Sequence, residues 1–310
     1  MKTLMTLIKN CIKKVLGEKR YLTLYLIKEY LLCSLLYFFG NRKKIIGKKY
    51  FKRTGKYLNI NNPRTFNDKI NWLKLNYYDE KYNLFVDKYR VREIVTERGC
   101  AEILNELYGV YNNANEIDWD NLPEKFILKV NNGCGHHIIC TDKGKLNIKE
   151  ITKKLNSGLK INYAVYSCER PYSKVQPKII CEKLLFENNT YPIDYKVFCY
   201  SGEPKYLYTM TEREIKSKLD FYDLDFIKLP IKLQKYENSC IELSKPENFN
   251  TMIEMARKLS QGLPFVRVDF YNINGKIIFG EYTFFPSGGY KEFVPDEYNY
   301  KFGEMLKLPS

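Results

Sequence analysis

Histidine is scarce in this 310-residue chain, and its scarcity excludes several kinds of site. The two histidines, His136 and His137, are adjacent. Zinc sites draw His and Cys ligands from spaced positions, and a Ser-His-Asp triad needs a histidine between a serine and an acid. The sequence therefore argues against zinc chemistry and against a serine hydrolase.

Paired cysteines and export signals are also missing. The nine cysteines include no CxxC pair, follow no regular spacing and are odd in number. No secretory signal with a small-residue cleavage site is visible. These absences predict reduced thiols and a cytoplasmic location.

Long uninterrupted apolar runs are lacking as well. The most apolar stretch, YLTLYLIKEYLLCSLLYFFG at residues 21–40, is broken by Lys28 and Glu29. A helix that crosses a bilayer needs about 20 consecutive apolar residues. The longest run here is too short to span, and no internal repeat or low-complexity linker is visible either.

Positive charge is concentrated in the first 60 residues. Of 51 basic and 36 acidic residues in the chain, this arm holds fifteen basic and two acidic ones, so it accounts for +13 of the net charge of +15. Apolar residues recur at helical spacing from Leu4 to Val15, with lysines on the other side. Such a segment is typical of proteins that lie on an anionic membrane surface. A helical hairpin packed on the body is the second interpretation, and nucleic-acid contact, which the nearly neutral body does not favour, is the third.

Periodicity in the body predicts an α+β architecture. Apolar residues at helical spacing predict four helices, namely one capped by Thr65 or Asn67, one from Leu84 to Gly99, one near residues 148–158 and one near residues 247–260. Strands are expected in FILKVNN, HIICTD, KIICEKLLF, DYKVFCYSG, EPKYLYTMT and KLDFYD. Antiparallel strands dominate the second half.

A predicted hairpin near the C-terminus, PFVRVDFYNINGKIIFGEYTFFPSGG, carries the strongest functional signal. Arg267 and Asp269 alternate with apolar residues on its first strand, and Glu281 and Thr283 are two residues apart on its second. Two carboxylates and an arginine are costly on an apolar β surface unless a ligand compensates them. Mg²⁺ bound to nucleotide phosphates would do so, because it takes one or two carboxylates plus phosphate oxygens. A cross-strand ion pair on a solvated face is the alternative.

The length of the hairpin loop decides whether these side chains share a face. A two-residue Asn274-Gly275 loop in a regular ladder would put the two carboxylates on opposite faces. We therefore expect a three-residue loop with Gly275 left-handed. That loop places Glu281 opposite Arg267, with Asp269 on the diagonal.

A lysine and a glycine loop suggest an anion site. Lys129 lies in the apolar strand FILKV, where it either reaches water from a sheet edge or points at a bound anion. The loop NNGCGHH follows at once, and its glycines would let backbone N–H groups approach a phosphate. A plain glycine-containing connection is the alternative.

Further charged residues follow on later strands. Glu182 ends an apolar strand, where its carboxylate would suit an adenine and ribose or would simply be exposed. Lys196 follows Asp194 on the face of another strand, and Arg213 ends the next one. Cations around phosphate and carboxylates around a metal are what phosphoryl transfer requires. The sequence thus predicts a cationic cage facing the hairpin carboxylates and built from Lys129, Lys196, Arg213 and Arg267.

The order of these motifs resembles the ATP-grasp superfamily. A strand lysine, a glycine loop, EKLL, DYKVF, RVDF and GEYT follow one another in the chain. NPRTFNDKINWLKL, DKYRVREIV, LPEKFILKVNNGCG and the hairpin segment look like the TupA-like branch, named for teichuronopeptide biosynthesis. The likeness covers about residues 60–295, and the first 55 or so residues lie outside it.

The resemblance implies two α+β lobes that grip ATP between antiparallel sheets, after a basic helical arm. The corresponding domains are the arm at 1–60, helices and a first lobe at 61–180, and a second lobe with the metal site at 181–310. Nucleotide binding is assigned to Lys129, Asn132, Gly133, Gly135, Glu182, Lys183 and Leu184. Catalysis is assigned to Lys196, Arg213 and Arg267, and Mg²⁺ to Asp269, Glu281 and Thr283.

Within these assignments Lys129 would meet the nucleotide phosphates, Lys196 the γ-phosphate and Arg267 the charge that develops on the transferred group. The glycine loop would act as a flexible lid. One departure is Thr283, because ATP-grasp enzymes commonly have Asn two residues after the metal-binding Glu. A hydroxyl can still ligate Mg²⁺ or hold a water, so the resemblance implies a modified site with the second metal position open.

The function implied is an ATP-dependent, ADP-forming carboxylate–amine ligase that works through an acyl phosphate. The family name points to a cell-surface polysaccharide or glycopeptide, such as capsule, teichuronopeptide or O-antigen, with a carboxylate-bearing saccharide or amino acid and an amine as substrates. A glycosyltransferase, for which Asp223-Leu224-Asp225 supplies an Asp-x-Asp match, and a non-catalytic membrane-attached scaffold are the alternatives. We expect a cytoplasmic protein that is peripheral on the membrane through residues 1–55 and has no nucleic-acid partner.

Overall fold

The computed structural model describes residues 40–186, 190–234 and 236–309, with five further residues between Leu31 and Phe38. Besides the five residues between Leu31 and Phe38, which are helical, eight α-helices have both ends in this part of the chain: α1 (Arg42–Thr54), α2 (Phe66–Asn76), α3 (Tyr82–Val86), α4 (Val91–Glu97), α5 (Ile148–Leu159), α6 (Tyr163–Ser167), α7 (Phe249–Ser260) and α8 (Glu297–Met305). Short 3₁₀ turns occupy Ala101–Ile103, Ala114–Glu116, Lys143–Lys145, Arg170–Lys174 and Pro286–Gly289.

The strands of the described residues form antiparallel sheets. A four-stranded sheet runs in the order β1 (Leu107–Tyr111), β4 (Ile179–Lys183), β2 (Phe126–Val130) and β3 (His137–Cys140). A six-stranded sheet runs in the order β11 (Lys276–Thr283), β10 (Phe265–Ile273), β5 (Asp194–Tyr200), β6 (Glu203–Thr211), β7 (Lys218–Tyr222) and β8 (Lys228–Leu229). A small third sheet pairs β12 (Phe293–Val294) with β9 (Lys232–Leu233).

Each large sheet has its own hydrophobic core. Leu155 of α5 packs with Phe126 and Ile179 of the four-stranded sheet. Phe66 of α2 packs with Phe198 of β5 in the larger cluster on the six-stranded sheet. The α+β class with antiparallel sheets is therefore confirmed, whereas the domain boundaries at residues 60 and 180 stay a prediction.

Helix α2 begins where the sequence predicts. The Thr65 hydroxyl accepts a hydrogen bond from the backbone N–H of Asp68 (3.1 Å), and the Asp68 carboxylate accepts one from the N–H of Thr65 (3.3 Å). This reciprocal capping box satisfies N–H groups that the first helical turn leaves unpaired. Asn67 is not the cap, because its side-chain amide donates to the carbonyl of Lys291 (2.8 Å).

The single helix expected from Leu84 to Gly99 is wrong. The chain forms two short helices, α3 and α4, separated at Asp87. The Asp87 carboxylate accepts hydrogen bonds from the N–H groups of Tyr89 (2.9 Å) and Arg90 (3.2 Å). An aspartate that bonds the following backbone turn ends a helix even where the apolar spacing continues.

The loop between β10 and β11 also differs from the expected one. It has two residues, Asn274 and Gly275, between the paired residues Ile273 and Lys276. Both are left-handed, with φ of 50° and 74°, as a type I′ turn requires. The predicted three-residue loop is therefore wrong, although Gly275 is left-handed as expected.

A β-bulge keeps the charged side chains of the hairpin on one face. The register shifts by one residue between Asp269 and Phe270, where Gly280 is the extra residue on β11. Asp269 is consequently opposite Glu281, and Arg267 is opposite Thr283. The common face is confirmed, whereas the predicted pairing of Glu281 with Arg267 is wrong.

The described end of the basic arm packs on the body. Ile45, Ile46 and Tyr50 of α1 are buried in a small cluster with Tyr290. The amphipathic pattern expected in the first fifteen residues lies outside the described residues. No helix in the described part of the chain is both long enough and apolar enough to cross a membrane.

Candidate active site

A cavity of about 340 Å³ lies between the four-stranded and the six-stranded sheet. This volume is typical of small-molecule sites. The glycine loop (residues 131–136), which joins β2 to β3, closes part of it. Ten of the thirteen site residues predicted from the sequence line it: Lys129, Gly133, Gly135, Glu182, Lys183, Leu184, Lys196, Arg213, Asp269 and Glu281.

A buried ion network forms one wall of the cavity. Asp269 of β10 is 2% exposed, and its Oδ1 accepts a hydrogen bond from Arg267 Nε (2.6 Å). Its Oδ2 accepts from Arg267 Nη2 (2.6 Å) and from Lys196 Nζ (2.6 Å). Lys196 lies directly opposite Asp269 on β5. Two cations thus compensate the cost of burying this carboxylate.

The network keeps its members charged. Burial opposes the charged form of Asp269, but Arg267 and Lys196 outweigh it and hold the pKa of that carboxyl below its usual value. Burial also opposes the charged forms of Lys196 and Arg267, and Asp269 is the main cause that raises the pKa of both above their ordinary values. All three side chains are therefore ionised at neutral pH.

Asp194 extends the network to Arg213. Its Oδ2 lies 3.2 Å from Arg213 Nη1 and 3.5 Å from Lys196 Nζ. Its Oδ1 is buried and has no hydrogen-bond partner among the described residues. Because a buried unpaired carboxylate oxygen is costly, this atom marks a point where a ligand donor or a water would bind.

Glu281 is far more exposed than Asp269. Its side chain is 46% exposed, and its nearest cations are Arg267 Nη2 at 3.7 Å and Lys88 Nζ at 3.8 Å. Asp269 and Glu281 are cross-strand neighbours, so both carboxylates face the cavity.

This pair of carboxylates fits Mg²⁺. The ion takes oxygen ligands and is usually bound by one or two carboxylates together with substrate phosphates. No group of three or more His, Cys, Asp or Glu side chains converges on a metal position in the described ranges. A metal here would therefore depend on oxygen atoms of a bound ligand.

The opposite wall carries a second ion pair. Lys129 of β2 and Glu182 of β4 lie with Nζ and Oε2 2.8 Å apart, and Arg92 Nη1 is 3.7 Å from Oε1 of Glu182. Burial opposes the charge on Lys129, but Glu182 outweighs it and raises the pKa of the lysine. Lys129 therefore carries a stable positive charge on the wall of the cavity.

The end of β4 continues this wall. The N–H of Lys183 donates to the carbonyl of Glu106 (3.0 Å), and its own carbonyl accepts from the Asn105 amide (2.9 Å). Leu184 follows and adds an apolar side chain to the lining. The cavity thus has an apolar surface next to Glu182.

The glycine loop is held by two side chains from outside it. Lys88 Nζ donates to the carbonyl of Gly133 (2.6 Å), and the Tyr163 hydroxyl donates to the carbonyl of Cys134. A Cβ on Gly133 would lie 2.1 Å from the Tyr163 ring, and Gly135 is left-handed at φ 86°. Both positions therefore need glycine.

Three predicted site residues do not line the cavity. The Asn132 amide donates to the carbonyl of Ile161 (3.1 Å) and so anchors the glycine loop. Arg267 donates from Nη1 to the Tyr208 hydroxyl (2.9 Å) and from Nη2 to the Thr283 hydroxyl (2.9 Å), besides its two bonds to Asp269. Arg267 therefore holds the cavity-lining Asp269, and Thr283 in turn bonds Arg267.

Sequence reasoning assigned no role to Lys88 and Tyr271, which also line the cavity. Tyr271 is two residues after Asp269, so strand alternation could have found it. Lys88 follows the helix break at Asp87, where two bonds join this turn to Asn131 of the glycine loop. The Asp87 carboxylate accepts from the Asn131 amide (2.8 Å), and the Lys88 N–H donates to the Asn131 carbonyl (3.3 Å). No local pattern announces these contacts.

Sequence comparison decides the family. The model described as "TupA-like ATPgrasp" matches residues 68–307, which is most of the chain. The chain belongs to the TupA-like ATP-grasp family. The resemblance drawn from the motifs is thereby confirmed, and the two antiparallel sheets around the cavity are the ATP-grasp fold.

Solved structures similar to this TupA-like protein include several ligases. An L-amino acid ligase from Bacillus licheniformis has 12% identity and a TM-score of 0.46, with 79% of this chain and 56% of that one covered. A D-alanine–D-alanine ligase from Bacillus anthracis in complex with ATP has 12% identity and a TM-score of 0.40, with 72% and 63% covered. The ATP-grasp ligase PsnB complexed with its minimal precursor has 13% identity and a TM-score of 0.37, with 70% and 58% covered.

The chain thus spans less than two thirds of the length of each of these solved proteins. No curated protein matches the TupA-like chain in sequence. The family assignment therefore rests on the family model.

Proposed function

We propose that this TupA-like ATP-grasp protein is an ATP-dependent, ADP-forming ligase that joins a carboxylate to an amine through an acyl phosphate. The observation that carries the proposal is the composition of the cavity walls. Lys129, Lys196 and Arg213 line the same cavity as Asp269 and Glu281. Phosphoryl transfer needs this combination, since it depends on positioning and charge neutralisation rather than on a protein nucleophile.

The wall around Lys129 is our candidate for the nucleotide. Ile127 pairs with both Ile139 and Glu182 across the four-stranded sheet, so an apolar patch lies beside a carboxylate. Such a patch with Leu184 suits an adenine ring, and Glu182 suits a ribose hydroxyl. Lys129 and the N–H groups of the glycine loop would then bind the phosphates.

Asp269 and Glu281 would hold Mg²⁺, and the bound ion would neutralise phosphate charge. Thr283 is a weaker candidate, because its hydroxyl already accepts a hydrogen bond from Arg267. The two carboxylates differ in what else they do. Asp269 compensates buried cations, whereas Glu281 is half-exposed and its nearest cation in the described part of the chain is 3.7 Å away.

The cations facing the cavity would stabilise the transferred phosphoryl group. Lys196 and Arg213 share Asp194 as a partner, which orients both along the same wall. Arg267 does not line the cavity but bonds the Asp269 carboxylate and lies 3.7 Å from that of Glu281, so we assign it as a positioning residue for Asp269. This differs from the direct contact that the family resemblance implies.

The acceptor carboxylate would belong to a saccharide or amino acid of a cell-surface polymer such as capsule, teichuronopeptide or O-antigen. Two aromatic rings support a cyclic substrate. Tyr191 lines the cavity with its ring centroid 5.5 Å from the Arg213 guanidinium, and Tyr271 lines it beside them. A sugar ring can stack on an aromatic face while its carboxylate pairs with an arginine.

The glycosyltransferase alternative has no such support. Asp223 and Asp225, the Asp-x-Asp match, are not among the residues that line the cavity. The Asp223 carboxylate instead accepts hydrogen bonds from the N–H groups of Asp225 (3.0 Å) and Ile227 (2.8 Å) and so closes a turn after β7.

Nucleotide release from purified protein tests the proposal. The protein is incubated with ATP, Mg²⁺ and a panel of uronic acids and amino acids paired with amines. The masses of the products are then measured by mass spectrometry. We expect ADP, phosphate and an amide that forms only when both substrates are present. AMP with pyrophosphate, or UDP released from a UDP-sugar without ATP, would contradict the ligase assignment.

A further inference from the structure

The outer side of α1 is unusually basic. Seven of the thirteen residues of this helix are Lys or Arg, and none is acidic. Its apolar residues Ile45, Ile46 and Tyr50 face the body. The exposed side includes Lys44 and Lys48, which lie one turn apart.

Apolar side chains are exposed next to this basic helix. Leu31, Leu35 and Phe38 are helical, and their exposed fractions are 56%, 57% and 78%. Their spacing of four and three residues puts them on one side of a helix. Tyr37, between Leu35 and Phe38, instead packs against the cluster under α1. Single exposed apolar residues are normal, but a row of three at helical spacing indicates an interaction surface.

Two further aromatic residues lie at the end of α1. Phe51 is 45% exposed and Tyr57 is 85% exposed, and their ring centroids are 4.8 Å apart. Aromatic rings next to lysines are typical of segments that sit at the level of lipid headgroups. We call the exposed residues of the 31–38 segment and of α1, together with Tyr57, the N-terminal surface.

We propose that the N-terminal surface docks the protein on an anionic lipid bilayer. The lysines would pair with headgroups while the apolar row enters the boundary with the acyl chains. A second copy of the chain is a poorer partner, because two faces that each carry exposed cations such as Lys44 and Lys48 and no acid of this helix would repel one another. The proposal goes beyond the ligase function, since acyl-phosphate chemistry needs no bilayer.

The packing of α1 would give this docking a consequence for the cavity. Arg53 lies over the Tyr290 ring at 5.1 Å, and Lys49 donates to the carbonyl of Tyr166. Tyr290 follows the turn Pro286–Gly289, which comes shortly after β11 and its Glu281. Because α1 is attached to the body by these contacts, a bilayer bound to its outer side would hold the cavity in one orientation to the membrane.

Vesicle co-sedimentation of the full chain tests the docking. Vesicles of phosphatidylcholine with about one third phosphatidylglycerol are compared with pure phosphatidylcholine, in 0.1 M and 1 M salt. We expect binding to the anionic vesicles only, and much weaker binding in 1 M salt, where the Debye length falls from about 10 Å to about 3 Å.

Three variants separate the contributions. Lys44→Glu with Lys48→Glu should weaken binding at least about tenfold, because two attractive charges become repulsive. Leu35→Ser with Phe38→Ser should also weaken binding, but the salt dependence of the remaining binding should be unchanged. The matched control, Lys153→Glu with Lys205→Glu, makes the same charge change at exposed positions elsewhere and should bind like the parent.

Several outcomes would overturn the docking. These are equal binding to neutral and anionic vesicles, no binding to either, and equal losses in the Lys44/Lys48 variant and its control. A dimer in solution that the Phe38 variant dissociates would identify a second copy as the partner instead. ADP release with soluble substrates is measured in parallel, and we expect it to be unchanged in the surface variants, so failure of the docking is distinguishable from failure of the ligase proposal.

Discussion

Asp269 and Glu281 should respond differently to loss of charge, although both are assigned to the same Mg²⁺. Asp269→Asn removes the negative charge from between Arg267 and Lys196, each of which bonds it at 2.6 Å. Removing one partner of a buried ion pair costs about 3–5 kcal/mol, because the remaining charge stays buried without compensation. Glu281→Gln changes a half-exposed carboxylate, for which the cost is about 1 kcal/mol or less.

Turnover should fall in both variants. Each carboxylate is assigned to neutralise phosphate charge through Mg²⁺. Loss of such an interaction should lower the rate of turnover by about two orders of magnitude or more. The measurements are urea unfolding followed by circular dichroism, and ADP release as a function of Mg²⁺ concentration. Glu97→Gln, at an exposed position of α4, is the control and should change neither quantity.

The stability difference should depend on pH. Because the folded state depresses the pKa of Asp269, its contribution is present above the unfolded pKa, near 3.9, and is lost as pH falls through the folded value. The parent and Asp269→Asn should therefore converge in stability in acid below about pH 4. An Asn variant as stable as the parent at pH 7 would refute the ion-network reasoning. Normal ADP release by Glu281→Gln at saturating Mg²⁺ would refute the metal assignment.

Three further changes test other parts of the structure. Lys129→Met should raise the Kd for ATP about tenfold or more with a smaller change in kcat, since a lysine on ground-state phosphates contributes uniform binding; unchanged ATP affinity by calorimetry would contradict the assignment. Arg267→Lys keeps the charge but loses the two-pronged contact with Asp269, so we expect a higher Mg²⁺ requirement at similar ATP affinity, and loss of ATP affinity alone would contradict a positioning role. Lys74 of α2 is 2% exposed and burial lowers its pKa to about 8, so the stability of the parent relative to Lys74→Met should depend on pH. The unfolded chain binds more protons between pH 8 and 10.5, so the parent should gain stability relative to the variant as pH rises through that window, and a difference independent of pH would contradict the burial argument.

Most of the candidate site could be predicted from local patterns. Strand alternation put Arg267 and Asp269 on one face, and the motif order assigned Lys129 and Glu182 to a common site, which the structure brings to within 2.8 Å. Alternation is a property of the extended backbone itself, so it survives whatever the strand packs against. The capping residue Thr65 was also predictable from a local pattern, because a capping box is formed within four residues.

Errors arose where a distant contact or a single inserted residue decides the geometry. Gly280 shifts the register of β11, so a two-residue loop and a common face are compatible after all. Asp87 ends α3 by bonding the next turn and the distant Asn131 amide, which apolar spacing does not register. The same break places Lys88 beside the glycine loop, where its Nζ donates to the Gly133 carbonyl.

By itself, the amino-acid sequence determined which side chains share a strand face, where the positive charge lies and to which family the chain belongs. Each of these depends only on the identity of the residues and their order along the chain. Only the tertiary structure decided what each charge contacts. Strand register places Lys196 of β5 directly opposite Asp269 of β10, so this buried carboxylate bonds a second cation that lies far away in the sequence. Such partnerships depend on contacts between residues far apart in the chain, and no local pattern contains them.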